Sequence, residues 1–306
     1  MNLEGGKIMY DLIIIGAGPA GISAGIYAVS RGLKTVVIEK NRVGGIIGNV
    51  STVTHYTAVM EGETGETFAD RMREQALNAG VEIVYETVTE VSLSGEEKRV
   101  VTEKAVYTSP KVVLANGCTP IKLGIEGEAE FQGKGIGLNA LRHGLQYKDK
   151  NIYVVGGADG AVKEALYLSR FAKKLTIIHF EDKLGCISEF QKKVEKTDNI
   201  SLMLGTRLVK VAGGDRVNEL TVQYESDGHR ETITDPGCGI FVYAGSAPNT
   251  AIYHELELEN GFIPVNDKME TAIPGVYAAG DIRAKQVRQV ATAVSDGAIA
   301  AINAAV

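Results

Sequence analysis

One short pattern occurs twice in this chain of 306 residues, and it limits the fold more than any other feature. Residues 10–39 read YDLIIIGAGPAGISAGIYAVSRGLKTVVIE. An apolar run, Leu12 to Ile15, ends in a glycine turn. Helix-period residues follow to about Arg31, and a second apolar run, Thr35 to Ile38, ends at Glu39. Residues 151–179, NIYVVGGADGAVKEALYLSRFAKKLTIIH, repeat that order. Strand, tight turn, helix and strand make a βαβ crossover, which places the two strands parallel in one sheet. Two such units predict an α/β protein with two Rossmann-like, three-layer nucleotide-binding domains.

The first turn is G-x-G-x-x-G, at Gly16, Gly18 and Gly21. Gly16 permits the tight turn, Gly18 lets the backbone approach a pyrophosphate, and Gly21 lets helix and strand pack closely. Pro19 and Ala20 open the helix, whose free N–H groups and positive dipole end suit phosphate. Glu39 follows Gly16 by 23 residues, where a carboxylate accepts ribose hydroxyls. In the second copy the same interval runs from Gly156 to His179. Ala158 replaces the second glycine, so a methyl group points where a pyrophosphate would pass. Phe180 and Glu181 follow His179, with no arginine pair to hold a 2′-phosphate. The second unit therefore reads as a nucleotide fold that packs but binds weakly or selectively.

Between the repeats, VEIVYETVTEV, KRVVTEK and AVYTSPKVVLANG alternate like the strands of a β-meander that feeds a last strand at 111–114. Near the end, Val276 to Ala279 reads as a strand ending in Gly280-Asp281, followed by a long small-residue helix. A Gly-Asp at a strand end can set a carboxylate on a polyol hydroxyl. The economical arrangement inserts the second domain, 118–244, into a discontinuous first domain, 1–117 with 245–306. The structured pattern begins at Tyr10. GCTP (117–120) and GSAP (245–248) are the hinges.

Composition removes several function classes. The net charge of −6 argues against a nucleic-acid partner, which needs a concentrated basic surface. AKKL (172–175) and QKKVEK (191–196) read as solvated faces. No apolar run approaches the roughly 20 residues that span a bilayer. The first residues lack signal-peptide order, so a cytoplasmic location without membrane attachment is expected. Cys118, Cys186 and Cys238 are 68 and 52 residues apart, which fits no disulfide framework, zinc ribbon or C-x-x-C pair. No metal site is expected.

Four stretches carry a family resemblance: GAGPAG (16–21), ANGCTP (115–120), VVGGADGAVKEALYL (154–168) and GVYAAGDIRAKQVRQVATAVSDGAIAA (275–301). Together the chain resembles the low-molecular-weight thioredoxin reductases of the FAD-dependent pyridine nucleotide–disulfide oxidoreductases. The resemblance implies tightly held FAD and a homodimer. It implies an FAD set of Gly16, Gly18, Pro19, Ala20, Glu39, Lys40, Gly45, Ile46, His55, Ala115, Asn116, Gly117, Gly280, Asp281, Arg288, Gln289 and Val290.

The departures bear on activity. Where the family reads C-A-T-C-D-G, this chain has Asn139, Ala140, Leu141, Arg142, His143 and Gly144. Dithiol exchange needs one thiol to attack and one to resolve, and neither is here. The family's H-R-R-x-x-x-R becomes His179, Phe180 and Glu181, with Gly185 at the last arginine. Its E-N-Y-P-G becomes Thr54-His55-Tyr56-Thr57-Ala58, and its G-G-Q becomes Gly44-Gly45-Ile46. The candidate catalytic residues are Asn139, Arg142 and His143, with His143 as proton donor and Arg142 as anion anchor; a solvent-facing helical lid is the plain alternative. Three functions follow. One is an FAD oxidoreductase independent of NADPH, reduced by a protein such as ferredoxin or flavodoxin. Another is an NADH-dependent flavin reductase or oxidase. The third is a non-catalytic flavoprotein, as sensor or subunit.

Overall fold

The computed structural model describes residues 8–137 and 139–306. They form two compact units. One ends at Thr119 and resumes at Ala247; the other is Pro120–Ser246. The changeovers fall within the stretches 117–120 and 245–248, two residues beyond the boundaries 117/118 and 244/245 read from the sequence.

The first unit is built on five parallel strands in the order Val276–Ala278, Lys111–Leu114, Leu12–Ile15, Thr35–Glu39, Glu82–Tyr85. Four of its strands are largely buried apolar runs because both faces are covered, whereas the edge strand Glu82–Tyr85 is exposed at both ends. Leu12, Ile14, Val37 and Val113 face one core with the helices Pro19–Val29, Gly65–Asn78 and Val290–Ala304. Ile13, Ile15, Val36, Ile38, Val112 and Leu114 face a second core under a four-stranded sheet. Each fully buried aliphatic side chain contributes about 1.5–3 kcal/mol, so the alternation fixes which side of every strand faces which layer.

The meander expected from the sequence is drawn differently. VEIVYETVTEV breaks at Glu86, whose N–H bonds back to Glu39 O at 2.9 Å. Glu82–Tyr85 is thereby the fifth parallel strand, while Val88–Ser92 pairs antiparallel with Lys98–Thr102 in the covering sheet. Order also starts before Tyr10: Ile8–Met9 pairs with Val106–Ser109. The helix after the first turn stops at Val29 rather than Arg31.

The second unit repeats the plan, with parallel strands ordered Ile136–Gly137, Gly239–Val242, Asn151–Val155, Lys174–Ile178, Ile200–Met203. Ile152, Val154, Leu175 and Ile177 pack with Val162, Ala165 and Leu168 of the helix Asp159–Leu168. Tyr153, Val155 and Ile178 pack instead with Leu208, Leu220 and Val222. Those three come from an antiparallel sheet, Thr206–Gly213, Val217–Tyr224 and Arg230–Thr234. Among the described residues no helix is long and apolar enough to cross a membrane, and no group of three His, Cys, Asp or Glu is placed to hold a metal ion.

Candidate functional site

In the first unit the site grows from the turn after Leu12–Ile15. Gly16 has φ +100°, and a Cβ there would lie 2.6 Å from Ala115 O, so only glycine fits. Gly18 caps the first helix with extended backbone, φ −71° and ψ −177°. A Cβ on Gly18 would meet nothing within 4 Å, which leaves the helix N-terminus open. Pro19 fills the first helical position, where its missing N–H costs nothing. Glu39, at its strand's end, accepts Ala17 N–H through Oε2 and Asn41 N–H through Oε1, both at 2.9 Å. The carboxylate is fixed at the rim of the turn, and each oxygen keeps a lone pair for a hydroxyl.

Several expected residues converge on this turn. Gly44 N bonds to Ala17 O at 2.9 Å, which brings Gly45 against Gly18. Ala115 N bonds to Ile15 O at 2.8 Å. Asn116 is clasped: its Nδ2 donates to Asn249 O (2.9 Å), and its Oδ1 accepts from Tyr253 OH (2.7 Å). Gly280 faces Ala20 so closely that a Cβ would come within 2.8 Å of the Ala20 methyl. Lys40, Ile46 and Gly117 directly follow Glu39, Gly45 and Asn116 in the chain. His55 sits on an exposed loop, its Nδ1 3.2 Å from Thr54 Oγ1. Ala58 follows at φ +65°, a left-handed conformation carried by alanine.

The C-terminal residues add charge. Asp281 Oδ1 is buried and has no hydrogen-bond partner. Arg288 stacks on the Phe262 ring, 4.1 Å from its centroid, and its Nε donates to Asp281 O at 3.4 Å. Gln289 caps the helix that Val290 opens, and its N–H is bonded to Thr292 Oγ1 at 3.2 Å. Behind them Asp296 is almost wholly buried. It receives Arg283 Nε and Nη2, each at 2.8 Å, Lys285 Nζ at 3.0 Å and Gly280 N–H at 3.1 Å. Burial alone would raise the Asp296 carboxyl. Hydrogen bonds from Arg283 and Lys285 outweigh it and hold the group below the ordinary carboxylate range.

These features fit a bound FAD. An open helix N-terminus suits its pyrophosphate, Glu39 its adenosine ribose, and the orphaned oxygen of Asp281 a hydroxyl of its polyol chain. Sequence reasoning missed Asp296, Arg283, Lys285 and Phe262. A signal existed: Asp296 lies on the buried face of an alanine-rich helix with Ala293 and Ala300, where a charge demands a partner.

In the second unit, Asn139, Arg142 and His143 form one short turn of helix, Ala140–His143. Asn139 Oδ1 accepts Arg142 N–H at 2.9 Å, and Asn139 N–H donates to His143 Nδ1 at 3.1 Å. The acceptor role of Nδ1 puts the proton of a neutral imidazole on Nε2. Arg142 is exposed. The second glycine turn keeps the geometry of the first, with Gly156 at φ +130° and Ala158 capping at φ −83°, ψ 174°. His179 is buried against Gly157, and its Nε2 lies 3.0 Å from Glu181 Oε2. Gly185 N bonds to Gly157 O. Arg207 reaches this strand end but stacks on Phe180 and pairs with Glu225 at 2.6 Å. Cys118, Cys186 and Cys238 are buried thiols outside any disulfide, and Cys118 Sγ donates to Asp281 O at 3.2 Å. Cys186 and Cys238 lie in the two separate cores of this unit. Burial raises the Cys186 thiol and, with Asp235 adding to it, pushes Cys238 up to about 12.

Comparison with known proteins agrees with this geometry. Residues 10–297 match the family model described as pyridine nucleotide-disulphide oxidoreductase. A thioredoxin reductase of Peptoclostridium acidaminophilum is 38% identical over 97% of this chain and 96% of its own. The crystal structure of Lactococcus lactis thioredoxin reductase superposes with a TM-score of 0.92 at 34% identity, covering 96% of this chain and 97% of that one. A ferredoxin-flavin thioredoxin reductase from Clostridium acetobutylicum matches at 29% identity and a TM-score of 0.54, covering 98% of both chains. The chain therefore belongs to the pyridine nucleotide–disulphide oxidoreductase family, as a thioredoxin reductase-like flavoprotein whose cofactor is FAD.

Proposed function

We propose that this chain is an FAD-dependent oxidoreductase that works without a redox dithiol and without NADPH, and takes its electrons from a protein donor such as a ferredoxin or flavodoxin. The observation that carries this reading is the interlocked turn Asn139–His143. Both positions matching the family's thiols hold other residues, and Asn139 and His143 bond the backbone of their own turn. Buried thiols with raised pKa values are poor nucleophiles, so Cys186 and Cys238 are ill suited to replace them. Ala158 at the second turn and Glu181 beside His179 argue against NADPH. The likeness to a ferredoxin-flavin thioredoxin reductase supports a protein donor. The family's homodimer and cytoplasmic location belong to the same proposal, as does the insertion of one domain into the other.

Bound FAD supplies two-electron chemistry at its ring. The chain's own residues do the rest. Gly18, Pro19 and Glu39 hold the cofactor's nucleotide end, and Asp281 takes a polyol hydroxyl. Arg142 anchors an anionic or carbonyl-bearing substrate, and His143 delivers a proton from Nε2.

The test is anaerobic titration of the purified holoprotein. Reduced ferredoxin or flavodoxin should bleach the flavin's visible band and NADPH should not. Rapid stoichiometric bleaching by NADPH overturns the reading. Cys118, Cys186 and Cys238 replaced together by serine should leave flavin-dependent turnover unchanged, whereas Arg142→Ala and His143→Ala should reduce it. A second reading, NADH as reductant, is favoured by the His179–Glu181 hydrogen bond. It fixes an acid where a ribose with a free 2′-hydroxyl could be recognised and a 2′-phosphate repelled. Bleaching by NADH alone would select it.

A further inference from the structure

Lys285 is held inside the cluster around Asp296, beside Asp281. Its side chain is 6% exposed and lies between two carboxylates. One ammonium bond goes to Asp296 Oδ2 at 3.0 Å and another to Thr292 Oγ1 at 3.3 Å. The third approach is to Asp281 Oδ1, at 3.6 Å. That is an ion-pair distance but too long for a hydrogen bond. Asp296 is already matched two-on-two by Arg283. A second buried cation on the same carboxylate would be in excess, and a buried cation without a counter-charge is strongly destabilising. The balancing charge is Asp281. Its Oδ1 is itself buried with no hydrogen bond, an expensive condition for a carboxylate oxygen unless a donor arrives.

We propose that Lys285 is a positioning residue for FAD: it holds the Asp281 carboxylate by charge while leaving Oδ1 open to accept a hydroxyl of the bound cofactor. Arg283 and Gly280 N–H fix Asp296, Asp296 and Thr292 Oγ1 accept from the ammonium, and the ammonium holds Asp281. A side chain that hydrogen-bonded Asp281 directly would fill the acceptor the cofactor needs. The inference rests on the flavoprotein assignment and extends it to a residue that need not touch FAD.

The experiment measures FAD affinity of apoprotein by quenching of flavin fluorescence. The variants are Lys285→Gln, Lys285→Arg, Asp281→Asn and the double variant Lys285→Gln/Asp281→Asn. Lys285→Gln can keep a bond to Asp296 and loses the charge, so it preserves the local packing. It should weaken FAD by about tenfold, and Lys285→Arg should recover most of that. The double variant should bind no more weakly than Asp281→Asn alone, because Lys285 acts through Asp281. Apoprotein melting temperatures accompany each variant. A merely structural lysine would lower melting and add its loss of affinity to that of Asp281→Asn, and that additive result overturns the proposal. So does unchanged affinity in Lys285→Gln. Parent apoprotein that takes up no FAD overturns the flavoprotein assignment and this inference together, which distinguishes the two failures.

Discussion

Gly18 and Ala158 stand at the same place in two copies of one turn. Each caps its helix with nearly the same backbone angles, and each follows a glycine with positive φ. What differs is what surrounds that backbone. In the first unit the position has no side chain, and a carboxylate at the strand end braces the loop through Ala17 N–H. In the second, a methyl occupies the cap. The strand-end residue is a histidine folded onto Gly157 and tied to Glu181. Strand–turn–helix packing therefore preserves the fold, while one Cβ and one strand-end residue decide what it can hold. A nucleotide fold and a nucleotide site are separable properties.

The largest expected effect tests what stands behind the first turn. Asp296→Ala leaves Arg283 and Lys285 buried without their carboxylate and should cost about 3–5 kcal/mol of stability, measured by urea unfolding of the apoprotein. The pH dependence has a definite sign. The folded pKa of Asp296 is depressed, so its contribution is full above the ordinary carboxylate pKa and fades as pH falls through the folded value. Asp296→Asn should flatten that acid limb; an unchanged limb would show that the cluster does not hold the unit together.

Next comes the brace. Glu39→Ala removes the acceptor for Ala17 and Asn41 N–H and should weaken FAD retention by about 1–3 kcal/mol, read by dialysis against apoprotein standards. A smaller exchange tests the comparison directly. Gly18→Ala writes the second turn's methyl into the first, at a backbone that accepts it and in space that is open. Folding should be unaffected, while FAD affinity should fall about tenfold, roughly 1.4 kcal/mol. The reciprocal Ala158→Gly should raise binding of ADP-ribose to the second unit. If Gly18→Ala binds FAD like the parent, the methyl is not what separates the two turns. The smallest effect lies away from both turns. Ala58→Gly relieves a left-handed residue and should stabilise the protein by about 1 kcal/mol, seen as a higher melting temperature.

Much of the fold was legible because its signals are local. Runs such as LIII and KVVL mark strands covered on both faces, and glycines at fixed intervals mark the turns. Glu82–Tyr85 was misassigned because an alternating pattern cannot say which sheet receives it; the bond from Glu86 N to Glu39 O decides. The candidate cofactor residues Gly16, Gly18 and Glu39 followed from spacing, and the others near them from the resemblance. The Asp296 cluster did not, since Gly280, Arg283 and Lys285 meet that carboxylate only once the last helix has packed on the first. There Gly297 lies so close that a Cβ would come within 2.0 Å of Ala20 O. The interlock of Asn139, Arg142 and His143 was also hidden. Residue types there suggested chemistry, while the hydrogen bonds show a helix cap built partly from an imidazole.

The thiols have a consequence for durability. All three are buried, and burial keeps two of them in the protonated form. Peroxides, alkylating agents and mixed disulfides react with thiolates at accessible positions. A relative that depends on a dithiol can be silenced by such reagents through that pair. This chain offers them little to attack, and its tolerance to oxidants is set by the stability of its cores, which must open before a sulfur is exposed.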